Sequence, residues 1–387
     1  MEQKQKDLFF NCPVAGKCGG CQLQNMDYDR QLRFKQAQVI KLLGKYVHVD
    51  NIIPCDPPLH YRNKISAAFG KTRSGQIISG IYQSGSHRIV RTDSCLLENE
   101  TADRIIAEIR KLVVSFKLPV YDERTGSGLI RHVMVRVSVT TDSYLVVIVT
   151  KSPVFPRKND FIRELLKRCP MITTIVQNIN PKETTMVLGD RENVLFGPGH
   201  IDDQLCGKTF RVSAGSFYQI NGKQTEKLYR TAIDIAGIQP TDTVIDAYCG
   251  TGTIGIIAAD FASKVIGTEL NPAAVRDARK NAKLNHADNV SFTNEDAGVF
   301  MRACAKENIR PDVVITDPPR SGCSEEFLDS LIEMSPKKVV YISCNPETQA
   351  RDLAILIRAG YKAKKCIPVD MFPFTKHVET VVLLSRK

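Results

Sequence analysis

The stretch VIDAYCGTGTIGIIAA, residues 244–259, decides how the C-terminal half of this chain folds. Its apolar run ends at Asp246 and is followed by Gly250, Gly252 and Gly255 in G-x-G-x-x-G spacing ahead of a helical pattern. Glycines so placed permit a tight turn after a strand and let the backbone approach a ligand at the start of the next helix. The following strand-like run, KVIGTEL, brings up Glu269, where a carboxylate can accept hydrogen bonds from ribose hydroxyls. These two features suit NAD and S-adenosylmethionine equally.

Outward from that stretch, the runs TVIDAYC, KVIGTEL, DVVITDPP, VVYISC and TVVLLS alternate with helical patterns such as NPAAVRDARKNAKLN. The alternation predicts an α/β fold with a doubly wound, Rossmann-like, mostly parallel sheet over residues 205–387. Residues 56–204 change to β-branched runs such as IRHVMVRVSV and SYLVVIVT around one helical segment, ENETADRIIAEIRKLVVSF, and predict an α+β middle domain. Residues 1–55 read as a cysteine-bearing loop leading into a basic amphipathic helix, YDRQLRFKQAQVIKLLGK.

Composition narrows the function classes. The 387 residues, 43% apolar, include no run of about 18 apolar residues, and MEQKQKDLFFNCPVAGK lacks the pattern of an export leader, so a cytoplasmic protein is expected. A net charge of +11 favours a polyanionic partner such as nucleic acid. Twelve cysteines in such a setting point to metal binding or catalysis rather than to disulfides.

The choice of cofactor turns on DPPR, residues 317–320, which ends a later strand. A nicotinamide enzyme has no evident use for it, whereas nucleic-acid methyltransferases commonly carry Asp/Asn-Pro-Pro there. Ligands of open α/β sheets bind outside the carboxyl ends of the strands, so Asp246, Glu269, Asp317 and Cys344 are expected around one crevice. A thiol beside a methyl donor has a use when the carbon to be methylated is not nucleophilic, as with C5 of uracil. A thiolate adds to C6, C5 becomes enolate-like and takes the methyl group, and a base then removes the C5 proton so that the thiol can leave. Glu379, ahead of the last strand, is the candidate base, and Arg320 or His377 could favour the thiolate of Cys344.

In order, CGGCQ, HYRNK, SFYQIN, DAYCGTGTIG, DPPRSG, YISCNPETQARD and DMFPFTKHVETVVLL resemble the RNA uracil-5-methyltransferases, which make 5-methyluridine in ribosomal and transfer RNA. The resemblance runs from about residue 12 to the C-terminus. It implies that Gln219, Tyr248, Glu269 and Asp317 contact S-adenosylmethionine, that Cys344 is the nucleophile and that Glu379 is the base. Cys249 and Cys323 are then structural, since neither sits at the SCNP turn.

Cys12, Cys18 and Cys21, spaced C-x5-C-x2-C, need a fourth ligand for a zinc or an iron–sulfur site. Cys95 is the first candidate and Cys55 its competitor. Spacing alone favours zinc. The resemblance to the iron–sulfur, ribosomal-RNA branch of the family favours a 4Fe-4S cluster with a structural or RNA-positioning role. The chain departs from the longest family members in having no N-terminal β-barrel ahead of the cysteines, so RNA affinity is expected from the middle domain, the cluster region and basic residues such as Arg33, Lys35, Arg62, Lys64, Arg131 and Arg136. The expected partner is 23S ribosomal RNA, at a loop uridine flipped out of its stack. The rivals are the same chemistry on transfer RNA, a non-catalytic iron–sulfur RNA-binding or sensor protein, and, more remotely, an NAD-dependent oxidoreductase.

Overall fold

The computed structural model describes residues 12–386. Residues 1–11, on which the reading of an absent leader partly rests, and Lys387 lie outside it. In chain order the elements are α1 (Tyr28–Leu43), β1 (Lys64–Lys71), β2 (Ile77–Tyr82), β3 (Ile89–Arg91), α2 (Glu100–Ser115), β4 (Ile130–Ser138), β5 (Ser143–Thr150), α3 (Lys158–Arg168), β6 (Ile172–Ile179) and β7 (Arg191–Phe196). There follow β8 (His200–Leu205), β9 (Lys208–Ser213), α4 (Gly222–Ala236), β10 (Thr243–Ala247), α5 (Thr253–Ala258), β11 (Lys264–Glu269), α6 (Pro272–Leu284), β12 (Val290–Asn294) and α7 (Ala297–Lys306). The chain ends with β13 (Val313–Thr316), α8 (Glu325–Met334), β14 (Lys338–Ser343), α9 (Pro346–Arg358), β15 (Tyr361–Val369) and β16 (Glu379–Arg386).

The C-terminal sheet has the order β12-β11-β10-β13-β14-β16-β15. Its first five strands are parallel, and the last two join antiparallel. The central strands read as apolar runs because helices cover both faces: all four residues of β13 are buried. Strand order reverses between β10 and β13, and a doubly wound sheet opens its crevice there. The position of β16 was not legible in the alternating pattern. It inserts between β14 and β15, which carries Glu379 to the tip of β14.

The middle sheet, β3-β2-β1-β4-β5-β6-β7, is antiparallel except for the β5–β6 pair, whose crossover is α3. Ile105, Ile109, Leu112, Phe161 and Leu165 of α2 and α3 pack on one face of it. The β8–β9 hairpin, which begins at His200 and so straddles position 205, packs on the other through Ile201, Leu205, Phe210 and Val212. That core runs on without a break to Val244 and Val265 of the C-terminal sheet. The α1 helix packs on α9, and Val49 and Ile53 bridge to β15. Among the described residues no helix is long and apolar enough to cross a membrane.

Three of the basic residues expected at RNA are instead interior. Lys35 is fully buried, with Nζ 2.6 Å from Asp370 Oδ1 and 3.0 Å from Phe372 O. Arg131 donates to the carbonyls of Asn180 and Lys182, and Arg136 to those of Ala214 and Ser216. Their terminal nitrogens donate to backbone carbonyls and a carboxylate, as buried donors on α1 and β4 must, while Nε of Arg131 and of Arg136 is buried without a partner among the described residues. Arg62 is partly buried beside Tyr61 and Glu98, while Arg33 is exposed.

The Lys35–Asp370 pair gives a stability prediction. Lys35→Met leaves Asp370 buried with only the Tyr28 hydroxyl, at 2.8 Å, to balance it. Uncompensated buried charge costs about 3–5 kcal/mol, to be read as a lowered midpoint in urea unfolding.

Candidate active site

Local sequence shapes the cofactor loop. Asp246, inside β10, accepts the Gly255 amide at 2.7 Å through Oδ2, and a Cβ on Gly255 would stand 2.9 Å from that oxygen. Gly252 caps α5 at φ +80°, and a Cβ there would press into the Phe292 ring at 2.6 Å. Both positions therefore require glycine, one for close approach and one for its conformation. Asp246 Oδ1 is buried and has no hydrogen-bond partner among the described residues.

Gln219, Tyr248 and Asp317 line one pocket with the Gly250–Thr251 turn and Tyr229. Tyr248 sits at φ +63°, its ring tilted against Phe327 at 5.6 Å. Glu269 closes β11 one strand over. Its carboxylate accepts the amides of Gly250 at 3.1 Å and Asn271 at 2.8 Å, which ties the turn to the neighbouring strand tip. The four residues expected to contact the cofactor thus ring the β10–β11–β13 tips. The polar groups of Gln219, Tyr248 and Asp317 around the Gly250–Thr251 turn, with the exposed Phe217 ring at the rim, fit an adenosyl sulfonium compound. Sequence reasoning passed over Tyr229, whose hydroxyl is hydrogen-bonded to Thr253 and Gln219, because a tyrosine on the apolar face of α4 reads as core. It also passed over Phe217, 65% exposed at the pocket rim.

Beyond the pocket, Ser343 pairs with Thr380 on the last rung of the β14–β16 ladder, and Cys344 and Glu379 are the residues just past it on the two chains. The SCNP turn is built by Asn345. Its side chain accepts the Glu347 amide to cap α9, and its Nδ2 donates to Arg320 O at 2.9 Å, with Thr348 Oγ1 on the same carbonyl at 3.2 Å. Pro346 takes the first helical position. The DPPR and SCNP turns are in this way fastened together.

Electrostatics couple the group. Burial pushes the Cys344 thiol up to about 11; Glu379 and Asp317 add to the rise and Arg320 opposes it. Burial also raises Glu379 to about 8, with Asp317 adding and Arg320 opposing, and it raises Asp317 to about 7. Burial, and then the charges of Arg320, Lys376 and Lys35, lower His377 from its ordinary value. Of the two residues considered for favouring the thiolate, Arg320 is the one whose charge opposes the rise of Cys344.

The segment that delivers Glu379 is braced by the N-terminal region. Phe374, fully buried at φ +66°, gives its amide to Gln31 Oε1 at 2.8 Å and accepts the Leu23 amide at 3.0 Å. Holding a non-glycine residue in the left-handed region costs about 1–3 kcal/mol, so surrounding contacts must enforce it. Tyr61 adds a hydrogen bond to Pro373 O at 3.2 Å.

Phe374 and Leu97 form a small core against which Cys12, Cys21 and Cys95 pack. Cys12, Cys18, Cys21 and Cys95 all line one cavity of about 480 Å³. Cys55 lies elsewhere, buried against Asn221 Nδ2 at 3.3 Å and Pro57 O. Burial lifts Cys21 to about 11 and Cys95 to about 12. Four sulfurs on one cavity are the right donors for a cluster. Among the described residues, however, no three His, Cys, Asp or Glu side chains stand together in a metal-holding group, so the thiols must draw closer to bind one.

The buried acids set a pH dependence. Asp246 at about 8, Asp317 at about 7 and Glu379 at about 8 keep protons in the folded chain that the unfolded chain has lost. The folded state then binds more protons between about pH 4 and 8, and stability falls as pH rises through that window. His132, held near 4 by burial, opposes this only below its ordinary 6.5. Without cofactor, the Tm should be lower at pH 8 than at pH 6.5, and Asp317→Asn should flatten the slope.

The tRNA (uracil-5-)-methyltransferase family model matches residues 191–387. An uncharacterized RNA methyltransferase of Halalkalibacterium halodurans is 43% identical over 97% of this chain and 83% of its own length. One from Staphylococcus aureus is 40% identical over 97% of this chain and 84% of its own length. The crystal structure of Pyrococcus abyssi tRNA (uracil-54, C5)-methyltransferase with S-adenosyl-L-homocysteine superposes with a TM-score of 0.78, at 28% identity, over 98% of this chain and 88% of its own.

Proposed function

The chain belongs to the tRNA (uracil-5-)-methyltransferase family and is an S-adenosylmethionine-dependent RNA methyltransferase; from that premise we propose that it makes 5-methyluridine in 23S ribosomal RNA through a covalent adduct on Cys344. The observation that carries the mechanism is the placement of Cys344 and Glu379 just past the Ser343–Thr380 rung, with the charges of Glu379, Asp317 and Arg320 all acting on the thiol. When bound, S-adenosylmethionine supplies an electrophilic methyl group. Gln219, Tyr248, Glu269 and Asp317 hold it at the strand tips. Arg320 favours the Cys344 thiolate, which adds to C6 of a uracil flipped into the crevice. Once C5 has been methylated, Glu379 takes its proton, and the C6–S bond breaks to return the thiolate. A carboxylate raised to about 8 is a stronger base than an exposed one and is suited to this transfer.

In this reading residues 205–387 are the methyltransferase domain, 56–204 an RNA-binding middle domain that supplies Cys95, and 1–55 the cluster segment. Cys12, Cys18, Cys21 and Cys95 would hold a 4Fe-4S cluster as a brace for the RNA-facing surface, and methyl transfer needs no electron from it. The four thiols on one cavity support the ribosomal-RNA branch. The similarity to the Pyrococcus abyssi enzyme favours a second reading, the same reaction on transfer RNA.

The test is incubation with 5-fluorouridine-substituted 23S fragments or transfer RNA plus S-adenosylmethionine. Fluorine at C5 cannot leave as a proton, so the adduct persists on a denaturing gel. A methylated adduct on Cys344 with the ribosomal fragment supports the reading; one with transfer RNA alone moves the substrate. No adduct with either overturns the covalent mechanism.

A further inference from the structure

Lys64 and Arg136 are directly opposed on the β1–β4 ladder, so two cations share one face of the middle sheet. Like charges placed opposite each other destabilise a strand pair, and such a pair ordinarily comes with an acid. Here it does not: among the described residues no carboxylate lies within ion-pair distance of either, and Lys64 makes no hydrogen bond through its ammonium group. Arg136 is only 4% exposed; Nη2 is spent on the carbonyls of Ala214 and Ser216, and Nε is buried without a partner. Burial and Arg136 together draw Lys64 down to about 8, as expected of a cation lacking its counter-ion.

The location says which anion belongs there. Asn63, next to Lys64, gives its amide to Ile220 O at 2.8 Å and its Nδ2 to Gln219 O at 3.1 Å. Arg136 holds the carbonyls just before Phe217. Arg136 and Asn63 thus hold the two ends of the 214–220 segment, with Lys64 next to Asn63, and that segment presents Gln219 and the exposed Phe217 at the cofactor pocket. An exposed aromatic ring is a stacking face for an unpaired base, and a cation beside it meets the backbone that carries that base.

The geometry points to Lys64, backed by Arg136, as a phosphate subsite for the RNA strand flanking the target uridine. This rests on the function proposed above. Lys64 is a positioning residue: it holds the strand and leaves the reacting atoms to the crevice. The other anion within reach of this segment is the carboxylate of the cofactor itself, and the two sources are separable.

The test measures RNA affinity against salt, and S-adenosylmethionine affinity by calorimetry, for the native chain, Lys64→Gln and Lys64→Arg. For Lys64→Gln the RNA affinity should fall about fivefold at low salt, and the slope of log K against log salt should shrink by about 0.7–1, one phosphate contact. Lys64→Arg should restore both, and cofactor affinity should be unchanged. Lys64→Met should leave the Tm of the free protein unchanged or higher, since a like-charge pair is relieved; a lower Tm would mark Lys64 as structural and overturn the subsite. An unchanged salt slope overturns it as well, and a weakened cofactor affinity with that slope assigns the anion to the cofactor carboxylate. RNA binding is read without turnover. A native chain that methylates no uridine therefore counts against the proposed function, and the salt slope still decides the subsite.

Discussion

Cys344→Ala should bind S-adenosylmethionine as the native chain does and lose methyl transfer by about 10⁴-fold or more, because C5 of uracil has no nucleophilic character until C6 carries the thiolate. Cys344 is not among the residues that line the cofactor pocket, so the loss should appear in kcat and leave cofactor affinity intact. Cys249 and Cys323 make the control. Burial pushes Cys249 well up next to Asp246, and Cys323 is raised to about 12 while its amide donates to Asp352 Oδ2 at 2.9 Å. Replacing either with alanine should lower stability through lost packing and still permit the adduct. Mass mapping of the adduct, with initial rates on the same RNA, checks the whole set. A Cys344→Ala chain turning over near the native rate would remove the covalent mechanism.

Glu379→Gln should separate the two halves of the reaction. Glutamine keeps the size of the side chain and cannot accept the C5 proton, so turnover should fall about 10²–10⁴-fold. Addition by Cys344 precedes that step. With natural uridine in the RNA, a methylated protein–RNA adduct should then build up on a denaturing gel, where the native chain shows none. The substitution also removes a carboxylate that raises Cys344, so attack should be no slower than in the native chain. Release of tritium from C5-labelled uridine should drop with turnover. Normal tritium release in Glu379→Gln would assign the base elsewhere.

Much of the site was legible because chemistry at the tips of parallel strands is written in short motifs. The G-x-G-x-x-G turn, Glu269, DPPR and SCNP each follow an apolar run, and in a doubly wound sheet such positions converge whatever the helices between them contain. The candidate base was harder. Glu379 is the first residue of its own strand, and only the antiparallel insertion of β16 beside β14 puts it near Cys344.

The cations show where pattern reading stops. Lys35, Arg131 and Arg136 look in sequence like Arg33 and Lys64, all basic residues in amphipathic segments. Their fates diverge through contacts across the chain: Lys35 meets Asp370, 335 positions away, and Arg136 meets carbonyls about 80 positions on. The same holds for Cys95 and Cys55, which spacing could not separate and which the fold sends to different surroundings.

The sequence by itself determined the fold class, the strand-tip residues and the kind of chemistry they support, because these depend on local periodicity and on residue types at fixed offsets. Only the tertiary structure decided which charges face solvent, which acids are desolvated, and how the N-terminal segment braces Phe374. Those are properties of burial, and burial is set by strand pairings and helix contacts between residues far apart in the chain.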